Sequence, residues 1–235
     1  MKSYGLNPID DFWDQVRHAD KVLVLTSAAF DFPAQLPPSV RYVGPVLDDP
    51  AWAADETWTP PPGDSPLVLV AMSSTFQDHL DVLQRCIDGL ASLPVRGLVT
   101  TGQAISPAEL RAAPRVTVVA SAPHSEVLDH AAVVLTHGGH GTVVRALAAG
   151  VPMVVMPQGR DQPDNAVRVV ARGAGIAISQ SAAPDEIAKA VQRVLDDGAF
   201  RTAADRLGEA IRSDAAAVSL VAELEAAPTI RPVTP

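Results

Sequence analysis

The chain has 235 residues, 47% of them hydrophobic, and a formal net charge of -9 at pH 7. That is enough apolar material for one large domain, or a domain with an appendage, and it excludes disorder over most of the length. The acidic balance excludes a nucleic-acid backbone or an anionic membrane surface as the main partner, while leaving room for a local positive pocket that holds a diphosphate. No apolar run approaches the ~20 residues of a spanning helix, and the start, MKSYGLNPIDDFWDQ, lacks a signal peptide's hydrophobic segment, so a cytoplasmic location is expected. The single cysteine, Cys86, has no partner for an internal disulfide, which suits a reducing compartment. With Leu83, Ile87 and Leu90 it reads as one packed helix face.

Taken in chain order, Asn7 is placed to cap a helix opening at Pro8, with Ile9, Phe12 and Val16 on one face, and the apolar run VLVLTS follows from Val22. One helix and one strand do not bury both their apolar faces. From Phe32 to Pro66 the sequence turns proline-rich and irregular, an extended connector that marks a domain boundary. After Pro66 six strand-like runs alternate with helical or helix-compatible segments: LVLVAM, VRGLVTT, VTVVA, AVVLTH, MVVMP and GIAIS. This alternation predicts an α/β domain, with a Rossmann-like parallel six-stranded sheet and helices on both faces. The strands are nearly all apolar, as burial on both faces requires. Among the helices, one carries Leu80, Leu83, Ile87 and Leu90, another opens at Ser106-Pro107 with Glu109 completing a capping box, and a third carries Ile187, Val191, Val194 and Leu195. A last helical stretch runs from Ala199 to about Ala226, and the tail PTIRPVTP is expected to be mobile. The expected organisation is thus 1–45 as a short helix-strand unit, 46–66 as linker, 67–227 as the main domain and 228–235 as tail.

The most informative passage is LTHGGHGTVVRALAAGVPMVVMP. A strand runs into His137, Gly138, Gly139, His140, Gly141 and Thr142, and a short helix then ends at Gly150. Glycines after a strand let the backbone turn tightly and approach a ligand, and the helix behind them aims unpaired N–H groups and its positive end at the loop. An anion is expected there, with His137 and the Thr142 hydroxyl as donors to phosphate oxygens, each a charge-assisted bond worth roughly 1.5 to 3 kcal/mol. The bland alternative is a tight strand-to-helix turn with a capping threonine. A zinc site on His137 and His140 lacks a third spaced ligand, and neither a Walker loop nor a GxGxxG fingerprint is present.

Together with SAPHSEVLDHA before it and PQGRDQPDNAVRVVARGAG after it, this passage resembles the donor-binding signature of nucleotide-sugar glycosyltransferases built of two facing Rossmann-like domains, the GT-B fold. It is most similar to bacterial enzymes that glycosylate natural products. The series APH, HGGHGT, GVPMVVMP, DQPDN, each piece at the carboxyl end of a strand, carries the resemblance from about Val43 to about Ala226.

The resemblance implies a nucleotide-sugar donor and a small hydroxylated acceptor, with sugar transfer by inversion and no cofactor or metal. Consistently, no Asp-x-Asp triplet occurs in the sequence. It puts Ala122, Pro123 and His124 along the nucleobase, with Thr100 and Thr101 near the base or ribose. His137, Gly138, Gly139, Gly141 and Thr142 hold the diphosphate, with Ser74, between Ser73 and Thr75, touching a phosphate from the cleft side. Asp161 and Gln162 bind the donor sugar's hydroxyls, unless Asp161 serves to cap the helix near Pro163. At strand ends, Ser and Thr also serve as turn formers. Arg145 stands where relatives using uridine nucleotides carry a ribose-binding glutamate, which favours a dTDP-sugar over a UDP-sugar. Ser121 stands where plant relatives carry a tryptophan.

Residues 1–45 resemble the last helix and strand of the family's acceptor half, whose catalytic histidine has no counterpart here; His18 matches no catalytic position. A truncated product, a fragment, or one piece of a split enzyme completed by a second chain is therefore expected. Alternative readings are a non-catalytic nucleotide-binding module and a related nucleotide-sugar epimerase or hydrolase.

Overall fold

The computed structural model describes residues 11–48, 58–72, 79–217 and 220–226. The first helix, α1 (Phe12–Arg17), has Asp11 as its N-cap, and the start expected at Asn7-Pro8 lies outside the described residues. Asp11 closes a capping box: its Oδ1 accepts from the Asp14 N–H at 3.0 Å, and the Asp14 carboxylate accepts from the Asp11 N–H at 3.3 Å. Strands β1 (Val22–Val24) and β2 (Val40–Tyr42) form a separate two-stranded parallel sheet.

The six apolar runs all become strands: β3 (Leu67–Ala71), β4 (Arg96–Thr100), β5 (Val116–Val119), β6 (Ala131–Thr136), β7 (Met153–Val155) and β8 (Gly175–Ala177). They form one parallel sheet in the order β5-β4-β3-β6-β7-β8. Alternate residues of each strand enter opposite cores. On one side Leu67, Leu69, Leu98 and Val134 meet α3 (His124–His130), α4 (His140–Ala148), α5 (Gln162–Ala171) and α7 (Gly198–Ala217). On the other, Val68, Val70, Val99 and Val133 meet α2 (Leu80–Ala91) and α6 (Pro184–Asp196), with Cys86 fully buried. Every residue of β3 is buried, the mark of a central strand covered on both faces.

The helix expected at Ser106-Pro107 is only a single 3₁₀ turn, Pro107–Glu109. Its capping box forms, with Glu109 Oε1 accepting from the Ser106 N–H at 2.8 Å. The following Leu110 is extended, and Pro114 biases Ala113 away from the helical region, leaving too little chain for a helix before β5. A short helix α8 (Leu220–Glu225) ends the described chain, and the tail expected to be mobile lies outside it.

The β1–β2 unit is fastened to the large sheet's helices by polar contacts. Arg168 on α5 pairs with Asp31 at 2.8 Å, Tyr42 donates to the same carboxylate at 2.7 Å, and Ser27 donates to Asp214 on α7 at 2.6 Å. Phe30, 1% exposed, enters the core on the α4 side. The strand order reverses between β3 and β6, and in open parallel sheets ligands bind in the crevice outside the carboxyl ends of the strands at such a point.

Candidate functional site

The loop after β6 borders that crevice. Thr136, fully buried, accepts the Gly138 N–H on its hydroxyl at 3.3 Å and starts the turn. Gly138 has φ +90, and a Cβ there would stand 2.7 Å from Val155 Cγ1; a Cβ on Gly139 would stand 2.5 Å from His137 Nε2. Both glycines are thus required by the loop's own packing. Gly141 is different. It is exposed on the first turn of α4, and a Cβ there would meet nothing nearer than Arg145 at 3.5 Å. Its bare backbone leaves the approach to the helix's N-terminal N–H groups open. The capping-threonine alternative fails, because Gly139 is the N-cap and Thr142 lies half-buried inside the helix.

His137 is 7% exposed, its ring beneath Gly139 and 6.1 Å from the ring of His79. Burial above all, and then the neighbouring His79, push its pKa down to about 4. At pH 7 the imidazole is therefore neutral. His140 opens α4 with its ring 6.4 Å from Phe30 and its Nε2 buried without a partner; burial lowers its pKa as well.

At the end of β5, Ala122 and Pro123 are buried and Pro123 is the N-cap of α3. His124 follows, its Nε2 3.3 Å from the Thr100 hydroxyl. Thr101 is 3% exposed and donates to the Ile105 carbonyl at 2.7 Å, so it closes the 102–105 turn and offers a ligand almost no surface. Beside Ala122 lies a pocket of about 550 Å³, between Trp58 and Pro60–Pro62 of the connector and Leu98 and Val119 of the sheet. Sequence reasoning missed this pocket. Its one signal is Trp58, two residues before the proline run Pro60–Pro62.

Asp161 occupies the N-cap position of α5 but caps no backbone N–H. Its Oδ2 accepts instead from Asn165 Nδ2 at 2.9 Å, and the same Asn165 nitrogen donates to the Gly138 carbonyl at 2.9 Å. Gln162 is 2% exposed, and its Oε1 accepts from the Gln158 and Gly159 N–H groups at 2.7 and 3.1 Å, holding the loop after β7. Arg145 Nε donates to the Gly141 carbonyl at 3.0 Å, and its Nη1 donates to the Asp48 carbonyl of the connector at 3.1 Å. The expected phosphate contact Ser74, with Ser73 and Thr75, lies outside the described residues. His18 sits on α1 with its ring bonded to the Asp14 carbonyl, in the separate β1–β2 unit.

Comparison with known proteins places the family and the fold. The family model for the Erythromycin biosynthesis protein CIII-like C-terminal domain matches residues 85–227. The 4'-demethylrebeccamycin synthase of Lentzea aerocolonigenes is 33% identical over 224 residues, which cover 91% of this chain and 51% of that protein. Among solved structures, the calicheamicin glycosyltransferase CalG4 aligns with a TM-score of 0.75 at 29% identity, over 91% of this chain and 53% of that one. The spinosyn rhamnosyltransferase SpnG complexed with thymidine diphosphate aligns with a TM-score of 0.66 at 27% identity, over 88% and 56%. This chain spans about half the length of these relatives. Among the described residues no helix is long and apolar enough to cross a membrane. By the match over most of the large sheet and the helices around it, the chain belongs to the CIII-like C-terminal domain family, a domain of natural-product glycosyltransferases with the GT-B fold.

Proposed function

We propose that this chain binds a nucleotide-sugar, a dTDP-sugar in preference to a UDP-sugar, and supplies the donor half of a transfer to a hydroxyl of a small acceptor. The observation that carries the reading is Gly141, a glycine that its own fold does not require, at the mouth of a helix N-terminus on the crevice where the strand order reverses. The acceptor oxygen attacks the anomeric carbon from the face opposite the diphosphate, the bond to the diphosphate oxygen breaks, and the configuration inverts. The α4 N-terminal N–H groups, the neutral His137 and the Thr142 hydroxyl meet the charge that grows on the leaving group, without a metal. The base that takes the acceptor proton belongs to an acceptor half joined to, or paired with, this chain. The dTDP preference rests on Arg145, which stands where uridine-using relatives carry a glutamate for the ribose.

Calorimetric titration of the chain with dTDP, UDP and GDP at equal ionic strength, without added metal, tests the reading. Micromolar binding with dTDP tightest is expected. Equal binding of all three would remove the base preference, and no binding of any would remove the donor site.

A further inference from the structure

Asn165 is 6% exposed and lies one helical turn into α5, facing two groups with different tasks. One is the carbonyl of Gly138, in the middle of the glycine loop, and the other is the Oδ2 of Asp161, each 2.9 Å from the same nitrogen, Nδ2. Both neighbours are pure acceptors, so only the amide's NH₂ edge can face them, one hydrogen to each. Asp161 is exposed, yet its carboxylate is not left to rotate freely. Gly138 is held at φ +90, against Val155 on one side and 3.3 Å from the Gln162 carbonyl for any added Cβ, so the first turn of α5 and the glycine loop are already in close contact.

We propose that Asn165 is a positioning residue that ties the diphosphate loop to the sugar-binding carboxylate, so that the sugar subsite takes its shape from the loop that holds the diphosphate. This rests on the donor-site reading above. A single buried amide is well suited to the task, because a buried acceptor left unpaired is costly and each hydrogen is therefore committed. Asn165 touches no substrate; it acts through Asp161 and Gly138. Two sites joined by one rigid element have coupled affinities, and the coupling is reciprocal.

The test titrates the full chain, Asn165→Leu, Asp161→Ala and the double variant with dTDP and with dTDP-glucose, with thermal melting as a folding control. Leucine keeps the volume of the amide and removes both donors. Asn165→Leu is expected to weaken dTDP-glucose about tenfold more than dTDP, and the double variant is expected to lose no more of that difference than Asp161→Ala alone. Equal weakening of both ligands, or additive losses in the double variant, would leave Asn165 a packing residue and overturn the proposal. If the unmodified chain binds neither ligand, the donor-site reading fails by itself. Amide exchange at Gly138–Gly141 is measured without ligand, so the tether is still judged in that case: faster exchange in Asn165→Leu supports it, and unchanged exchange overturns it.

Discussion

His137 shows how burial changes the chemistry of a residue that the sequence makes conspicuous. Its unfolded imidazole titrates near 6.5 and its folded one near 4, so between those values the unfolded chain binds more protons and stability rises with pH. Stability is therefore lost as pH falls from 6.5 towards 4, on the order of 3 kcal/mol for this group. The lowered pKa of His140 acts in the same direction. Urea unfolding at pH 7 and pH 5 should show a smaller drop for His137→Gln than for the unmodified chain. For ligand binding, losing one donor to an ionised phosphate oxygen predicts that His137→Ala weakens dTDP about tenfold to 100-fold in a calorimetric titration. Cys86, fully buried with its thiol pushed up to about 12, should react with a thiol reagent only at the rate of unfolding. The histidine's position was legible in the sequence because a strand and three glycines frame it. Its neutrality was not, because His79, a contributor to it, comes from the start of α2 on a different strand-helix unit. In the same way Asp161 read as a sugar ligand or as a cap, and only its Oδ2, turned to Asn165, removes the cap.

The elements show a similar division between what periodicity reveals and what contact decides. All six strands were readable because both-face burial leaves runs of apolar residues that stand out from the amphipathic helices between them. The shortness of the turn at Pro107 was not, since it depends on local competition, Pro114 against Ser106. The glycines of the loop separate cleanly at this scale. Gly138→Ala forces a side chain into the left-handed region and against Val155, and should lower stability by about 2 kcal/mol or more. Gly141→Ala meets only an ordinary contact with Arg145 within a helix and should raise stability by roughly 0.5 to 1 kcal/mol, while weakening dTDP binding. Thermal melting and titration of the two variants check this opposition: two variants equally destabilised would assign Gly141 to packing.

In the whole molecule, the β1–β2 unit has little apolar core of its own and holds to the large sheet through α5 and α7. The Asp31–Arg168 pair is one of its well-shielded ionic contacts, with side chains 23% and 26% exposed, beside Lys21–Glu223 at 24% and 23%. Burial works against the Asp31 charge, but the Tyr42 hydroxyl and Arg168 outweigh it and hold the carboxyl below its ordinary range. Arg168→Ala should loosen the unit, and trypsin should cut after the exposed Arg41 several-fold faster than in the unmodified chain. An unchanged rate would mean that Phe30, the Ser27–Asp214 bond and the Lys21–Glu223 pair anchor it without Arg168. The sequence pointed to a parallel sheet but not to the order of its strands, and that order has a consequence during synthesis. As the chain leaves the ribosome, β3 finds β4 beside it almost at once, but its other edge stays bare until β6 emerges, after β5 and α3 have been made. The crevice lies outside the carboxyl ends of those two late-meeting strands. A nascent chain can therefore own half a sheet and still have nothing for a nucleotide to hold.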